Sequence, residues 1–499
     1  MAAGVCCGVF ERRAGWVPGL VVSLLWAILP ALPALWSGSV PGHRYTDLYP
    51  SVWGLDVFCE ALPGFATHTD RFGAPGGIGF YYSSPIHGLV GWPIWAAIGP
   101  TAAYTVTLLV ARAATVFCAI RWLRALGRSE LAAIAGGLLF GASPFFHGYA
   151  VEGIVEGTDG WTLALWAWMV TTKRRVPAMV AFALCVLSSW YLGMVVCFLA
   201  LAWGFRERLA WVSAAGLLAA APALGAFMAA FGGNLPLDDT VRVAMGAPLR
   251  IPTPGLLPGL QPFALNTYVG FSTVVLAIVG ARRSPWFAAG AVACFVLSTG
   301  RGPWWDLPVL ELVRFPYRWH AGTLFCLAAL VSRLDLRWRW PLFLPFCEGF
   351  LLSPVEPVLP TPPVRVGQLL YQQVEPTILL ELPGPLAMPP GVPNPSRSRS
   401  QYLLLAQVYH RARSPWTLDF NGISLARDAV WLDSFRSWDP ALDVEPLPLD
   451  IAGMRAAGVT QVMVHRDEYR ERAPALEAAL EEAGGVLAGL QGRLALYIF

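Results

Sequence analysis

The sequence predicts an all-α membrane domain of about eleven spanning helices, followed by a small α/β domain outside the membrane. Three observations carry this expectation. Apolar stretches of near-spanning length recur from residue 16 to residue 353. Charged residues make up only 13% of the 499-residue chain, 56% is hydrophobic and the mean hydropathy is +0.53, whereas soluble chains carry roughly a quarter charged residues. Beyond residue 353 the hydropathy drops and the chain becomes polar and proline-rich.

The expected spans are roughly 16–37, 100–122, 129–144, 159–171, 176–190, 191–205, 209–231, 264–281, 285–299, 320–333 and 340–353. The stretch from Val176 to Phe205 reads either as a hairpin turning at Ser188 to Gly193 or as one tilted helix; basic residues at both ends favour the hairpin. Every second link is basic: Glu11-Arg12-Arg13, Arg121 to Arg128, Lys173-Arg174-Arg175, Arg206-Glu207-Arg208, Arg282-Arg283 and Arg333 to Arg339. Cytoplasmic loops retain Lys and Arg, so the N-terminus is expected inside and residues 38–99 outside. The first span reads as a retained anchor, since no small-residue cleavage site follows it.

The expected division is a membrane domain over 1–353, with its large first outer loop at 38–99, and an outer α/β domain over 354–499. In the second part, Thr377 to Glu381, Ala457 to Val464 and Arg493 to Phe499 read as strands, and Arg472 to Glu482 as a helix. The apolar piece Pro85 to Ile98 is expected along the membrane interface, and residues 145–158 as an outer loop.

Composition excludes some classes. The net charge of +3 is small, and no basic run with interleaved aromatics points to nucleic acid. Most of the nine cysteines fall in or beside apolar spans, with Cys59 alone in a clear outer loop, so no disulfide framework is implied. No Cys or His spacing fits zinc. Lys173 is the only lysine, a bias suited to a GC-rich, bacterial genome.

Three constellations can carry chemistry. The first is the opening of the outer loop, His43 to Asp56, with Asp47, Trp53 and Asp56. A carboxylate at the membrane surface can act as general base toward a hydroxyl, and Trp53, Tyr81 and Tyr82 can stack on a sugar. The bland alternative is a solvated loop with interfacial aromatics. The second is Arg301, Arg314, Arg318 and His320, whose forks suit phosphate oxygens. Its alternative is an ion pair with Glu311 or Asp306, or headgroup binding. The third is His147, Glu152, Glu156 and Asp159, which would bind sugar hydroxyls, orient Asp47 or form a polar rim. Arg112 lies mid-span, either a functional charge or one paired inside the bundle.

Asp47, Trp53, Pro75-Gly76-Gly77 and Ser84-Pro85-Ile86-His87-Gly88-Leu89 follow the first span in that order. Arg121-Trp122-Leu123-Arg124-Ala125-Leu126-Gly127 closes the next span, and Gly141-Ala142-Ser143-Pro144 and Glu152-Gly153 come after it. Farther on stand Arg314-Phe315-Pro316-Tyr317-Arg318, Leu380-Glu381-Leu382-Pro383, His410 with Asn421-Gly422, and Ala457-Gly458-Val459 leading to Val464-His465. This series resembles the C-type glycosyltransferases (the GT-C fold), and the Arg-x-Pro-x-Arg run resembles their uncharacterised YfhO-like bacterial members. The resemblance implies inverting transfer from a polyprenyl-phosphate-linked sugar, outside a bacterial inner membrane, to a glycan, lipid or protein acceptor. It implies Asp47 as catalytic base, with Asp56 as its substitute. Some members use a metal held by paired acids of Asp-x-Asp type; the first loop has no such pair, and Asp238-Asp239 reads as a turn. Metal-independent chemistry without a cofactor is therefore expected, a divalent metal staying open. The rival readings are a transporter or flippase for lipid-linked glycans, a glycan ligase, and a non-catalytic membrane scaffold. A transporter would favour repeated halves, and no internal repeat is visible.

Overall fold

The computed structural model describes residues 16–43, 47–64, 67–80, 82, 84–207, 210–231, 268–306, 310, 315–334, 340–352, 358–360, 368–384, 397–416, 429–442 and 444–499. Arg314, Tyr81, Glu311, Asp238-Asp239 and Asn421-Gly422 lie outside the described residues. The chain packs as two units. One draws on residues 1–43, 83–224 and 236–361, the other on 44–82, 225–235 and 362–499. Residues 44–82 of the first outer loop thus pack with the C-terminal part of the chain.

The first unit is helical. Most of its helices fall on the expected apolar stretches, including the hairpin reading of 176–205, which forms Arg175–Ser188 and Trp190–Glu207, while Pro144–Glu152 and Val155–Thr158 fall on the expected outer loop. Prolines at the first turns of Pro85–Ile98, Pro100–Ala125, Pro144–Glu152 and Pro285–Ser298 start those helices, where a missing N–H costs nothing. Length, however, departs from expectation. Val17–Ser37 and Pro100–Ala125 are long and apolar enough to cross a bilayer unaided, and Glu130–Gly141 with Pro144–Glu152 adds a third if the 42° bend lies within one span. Arg175–Ser188 and Pro285–Ser298 have 14 residues each, about 21 Å at 1.5 Å per residue against a hydrocarbon core of about 30 Å. Among the described residues, the expected count of about eleven spans is therefore not reached on length.

Small residues set the packing. Gly19, Ser23 and Ala27 are buried on one face of the first helix, while Leu20, Val21, Leu24 and Leu25 are exposed as a lipid-facing surface would be. A Cβ on Gly137 would come within 2.4 Å of Ile120, and one on Gly141 within 2.8 Å of the Val116 backbone nitrogen. Those two glycines let Glu130–Gly141 lie directly on Pro100–Ala125. His320–Val331 is buried along its whole length and forms part of the core with Trp122, Phe140 and Phe325.

The second unit holds helix Leu48–Ala61, a short hairpin of β1 (His68–Thr69) and β2 (Ile78–Gly79), and a four-stranded sheet. Its strands are β3 (Ile378–Leu382), β4 (Val459–His465), β5 (Val486–Gln491) and β6 (Leu494–Ile498), in the order β3-β4-β6-β5. β3 and β4 run parallel, and β6 is antiparallel to β4 and β5. The three expected strands and the expected helix, Ala473–Glu482, are all present. β5 was not expected: Val486, Leu487 and Leu490 are exposed, so it lacks the alternation that marks a half-buried strand. Helix Arg397–His410 was also not expected; it packs against Leu48–Ala61.

Candidate active site

In the first unit the site is built on residues 143–160. The Ser143 side chain caps the N-terminus by accepting from the Phe146 N–H, and Pro144 opens the helix. Gly153 closes it at φ +74°, a conformation that glycine adopts without strain. Val155–Thr158 then makes one turn before Gly160–Thr171 begins. The expected outer loop is instead buried helix, with Phe145, Phe146 and Tyr149 supplying the apolar surface that draws it inward.

That burial changes the reading of its polar residues. His147 is fully buried and lies against Trp26 and Phe350. Its Nδ1 faces Arg112 Nη1 at 3.1 Å, and Arg112 also sits over the Trp26 ring at 4.9 Å. Arg112 is therefore paired inside the bundle, and His147 is not on a sugar-facing rim. Glu152 is buried at the end of the same helix.

Glu156 reaches the second constellation. Arg318 Nη1 donates to Glu156 Oε1 at 3.1 Å. The guanidinium lies 4.2 Å from the Tyr191 ring centre, 4.9 Å from Phe315 and 5.8 Å from Tyr149. Arg318 Nε is buried without a hydrogen-bond partner among the described residues. Arg318 thus pairs with an acid from residues 152–159; Glu311 and the Asp306 side chain lie outside the described residues. Beside this pair is a small recess of about 10 Å³, room for roughly one water molecule, partly open to solvent. Arg318, Phe145, Phe146, Tyr149, Ser189 and Tyr191 line it. His320 does not join the cationic group: it is fully buried, and Phe145 packs edge-on against it at 5.2 Å. Arg301 is exposed.

A further acid completes this unit. Asp159 is fully buried and accepts from three side chains: His87 Nε2 at 2.8 Å, Trp161 Nε1 at 2.8 Å and Ser84 Oγ at 3.0 Å. Sequence reasoning had Asp159 but gave no role to Ser84, His87, Tyr149 or Tyr191. Ser84 and His87 are 75 and 72 residues from Asp159 along the chain. The one available signal was a pair of polar residues opening an otherwise apolar helix, Pro85–Ile98.

In the second unit, Asp47 is half-buried at the head of helix Leu48–Ala61, where the helix dipole favours a negative charge. Trp53 and Asp56 lie about one and two turns inside. Asp56 is fully buried and paired at 2.6 Å with Arg71, whose other terminal nitrogen reaches Glu60 at 2.6 Å. Burial alone would lower the Arg71 pKa; Asp56 and Glu60 outweigh it and hold the guanidinium above its usual value. Burial, then the Asp56 charge, pushes the Cys59 thiol up to about 12. Asp56 is thus placed as a structural counter-ion rather than a substitute base. Trp53 is 1% exposed, donates from Nε1 to Gln407 at 2.8 Å and packs edge-on against Phe72 and Phe80. It is a core residue with no face open to a sugar. Tyr82 is likewise buried, against Phe58 and Gly54. Among the described residues no group of three or more His, Cys, Asp or Glu is arranged to hold a metal ion.

No family model matches the sequence, and no curated protein matches it. Solved structures do match. The arabinofuranosyltransferase AftD from Mycobacteria aligns over 97% of this chain and 40% of its own length, at 16% identity and a TM-score of 0.51. The oligosaccharyltransferase AglB from Archaeoglobus fulgidus, in complex with an inhibitory peptide and a dolichol-phosphate, aligns over 92% of this chain and 70% of its own, at 12% identity and a TM-score of 0.49. ArnT from Cupriavidus metallidurans covers 100% and 98%, at 12% identity and a TM-score of 0.42. The chain spans 40% of the length of AftD, and at 16% identity that likeness is one of fold: the chain is built on the fold of the C-type membrane glycosyltransferases.

Proposed function

We propose that this protein is an integral membrane glycosyltransferase of the bacterial inner membrane. It moves a sugar from a polyprenyl-phosphate carrier to a glycan, lipid or protein acceptor on the extracytoplasmic face, with inversion. Fold alone does not establish an activity. The observation that carries this reading is Arg318, a buried cation walled by aromatic rings beside a small, partly open recess, with a nitrogen that has no hydrogen-bond partner among the described residues.

Asp47 is the general base in this reading. It takes the proton of the acceptor hydroxyl as that oxygen attacks the anomeric carbon. The bond from that carbon to the phosphate oxygen breaks, and the phosphate leaves with the electron pair. Arg318 neutralises the charge that grows there. Tyr149 and Tyr191 exclude water and give the sugar a flat apolar wall. Arg314 and Arg301 are further candidates for the carrier phosphate.

The experiment uses the full chain in lipid nanodiscs with undecaprenyl-phosphoryl sugars. Arg318→Ala is expected to weaken carrier binding at least tenfold. Asp47→Asn is expected to abolish transfer with carrier binding retained. Transfer by Asp47→Asn at the wild-type rate rejects the base assignment, and unchanged carrier binding by Arg318→Ala rejects the phosphate assignment.

A further inference from the structure

Four arginines stand at one end of three packed helices. Arg121 and Arg124 lie near the end of Pro100–Ala125, Arg128 just before Glu130–Gly141 and Arg333 just after His320–Val331. The three helices touch at this level: a Cβ on Gly136 would come within 2.6 Å of Leu123 and 3.1 Å of Ser332. Arg124 Nη1 donates to the Arg128 carbonyl at 2.9 Å. Arg128 is half-buried, and burial, then the Arg333 charge, pushes its pKa down to about 10. Glu130 follows closely, yet none of the four arginines makes an ion pair among the described residues. The Nε atoms of Arg121 and Arg128 are buried without a hydrogen-bond partner among those residues. Positive charge is thus gathered here without a protein anion to balance it.

The surroundings narrow the balancing anion. The Arg121 guanidinium lies between two indoles, 4.5 Å from the Trp16 ring centre and 5.1 Å from Trp168. Trp16 opens the first helix, and Trp16, Leu20 and Leu24 follow at every fourth residue, so they run along one face. All three are exposed, at 48%, 45% and 43%. A cation therefore sits at the foot of an exposed apolar ridge, with an interfacial tryptophan between them. A soluble anion would use the arginines and leave the ridge bare. A lipid with a charged head uses both: phosphate oxygens suit the guanidinium forks, and an acyl chain covers Leu20 and Leu24.

We infer that Arg121, Arg124, Arg128 and Arg333 form a binding site for the headgroup of an acidic phospholipid, whose acyl chain lies along Trp16, Leu20 and Leu24. The site needs the helical unit to be embedded in a bilayer, as the proposed function has it, and owes nothing to the transfer chemistry.

The test titrates the detergent-solubilised full chain with phosphatidylglycerol and with phosphatidylcholine, each labelled on the same acyl chain. The quantity read is the affinity ratio of the acidic to the zwitterionic lipid. Wild-type protein is expected to favour phosphatidylglycerol at least tenfold. Arg121→Gln and Arg128→Gln are each expected to lower the ratio about fivefold, the share of one cation near a lipid surface, and to leave phosphatidylcholine binding within twofold. Arg455→Gln removes one exposed positive charge from the second unit and is expected to leave the ratio unchanged. Equal binding of the two lipids by wild type overturns the inference. An unchanged ratio in both Arg121→Gln and Arg128→Gln does so too, as does an equal fall in Arg455→Gln, which marks an effect of net charge. Displacement of phosphatidylglycerol by an equal concentration of glycerol 3-phosphate assigns the site to a soluble phosphate and overturns the lipid. A chain that transfers sugar without preferring phosphatidylglycerol loses this site alone, and one that prefers the lipid but transfers no sugar loses the proposed reaction alone.

Discussion

Arg318 donates to Glu156 at 3.1 Å across 162 residues of sequence. The pair joins the turn that opens His320–Val331 to the single turn Val155–Thr158. Both side chains are largely buried, at 8% and 16% exposure, so the pairing offsets part of what each charge loses on leaving water.

Loss of either partner should therefore be felt. Glu156→Ala is expected to destabilise the protein by about 3 kcal/mol, because it leaves a buried cation unpaired. Arg318→Lys keeps the charge but loses the planar fork and its stacking on Tyr191. It is expected to keep most of the stability and lose carrier binding. Thermal unfolding in detergent, set beside carrier titration, separates the two. Equal stability of Glu156→Ala and wild type would contradict the pairing.

Asp47 is expected to be replaceable structurally but not chemically. The Asp47 side chain makes no capping hydrogen bond, so Asp47→Asn gives up only a charge–dipole attraction of about 0.3–1 kcal/mol and should unfold within a few degrees of wild type. Its transfer rate should fall by three or more orders of magnitude, within the range that a positioned general base supplies. Single-turnover transfer assays read this directly.

The buried Arg71 triad predicts an asymmetric double-mutant cycle. Arg71→Met alone should cost about 3–5 kcal/mol by stranding Asp56. Adding Asp56→Leu should recover much of that loss, because the paired charges and their desolvation are removed together. Denaturant unfolding of the four proteins measures the coupling; additive effects would count against it.

A pH dependence follows from His410. Burial, opposed by the Glu381 charge and aided by Arg71, pushes this imidazole down to about 4 from an ordinary 6.5. His410 Nδ1 accepts from the Ala412 N–H at 2.9 Å, which favours the neutral ring. Glu381, Tyr371 and His465 are the other titratable groups beside it. The unfolded chain binds the extra proton first, so the stabilising contribution is full above pH 6.5 and is lost as pH falls from 6.5 toward 4. The contribution is on the order of 3 kcal/mol. His410→Gln should flatten the stability profile of the full chain over that interval; an unchanged slope would reject the cause.

Gly141→Ala is expected to destabilise the helical unit by about 1–3 kcal/mol. Its Cβ would come within 2.8 Å of the Val116 backbone nitrogen, and backbone cannot turn aside as a side chain can. Melting of the variant in nanodiscs checks this, and wild-type stability would mean that the two helices are less tightly packed.

Much of the fold was legible because it depends on local chemistry. Apolar runs, prolines at first turns and small residues at every fourth position report on the segment that contains them. Strands β3, β4 and β6 are legible for the same reason; the two-residue strands β1 and β2 and strand β5, whose exposed side chains give no alternation, are not. Segment 145–158 reads as an outer loop because His147, Glu152 and Glu156 suggest water, while the partners that permit their burial, Arg112 for His147 and Arg318 for Glu156, lie far off in sequence.

Taken alone, the sequence determined that this is a chain of apolar helices with a small sheet-bearing part, and which residue types were available for chemistry. Only the tertiary structure decided which of those residues are spent on the fold. Trp53 and Asp56 are locked by Gln407 and Arg71, while Ser84 and His87 converge on Asp159. The physical reason is that a buried polar group takes its role from the partner that satisfies it, and that partner is chosen by packing between distant segments rather than by neighbours along the chain.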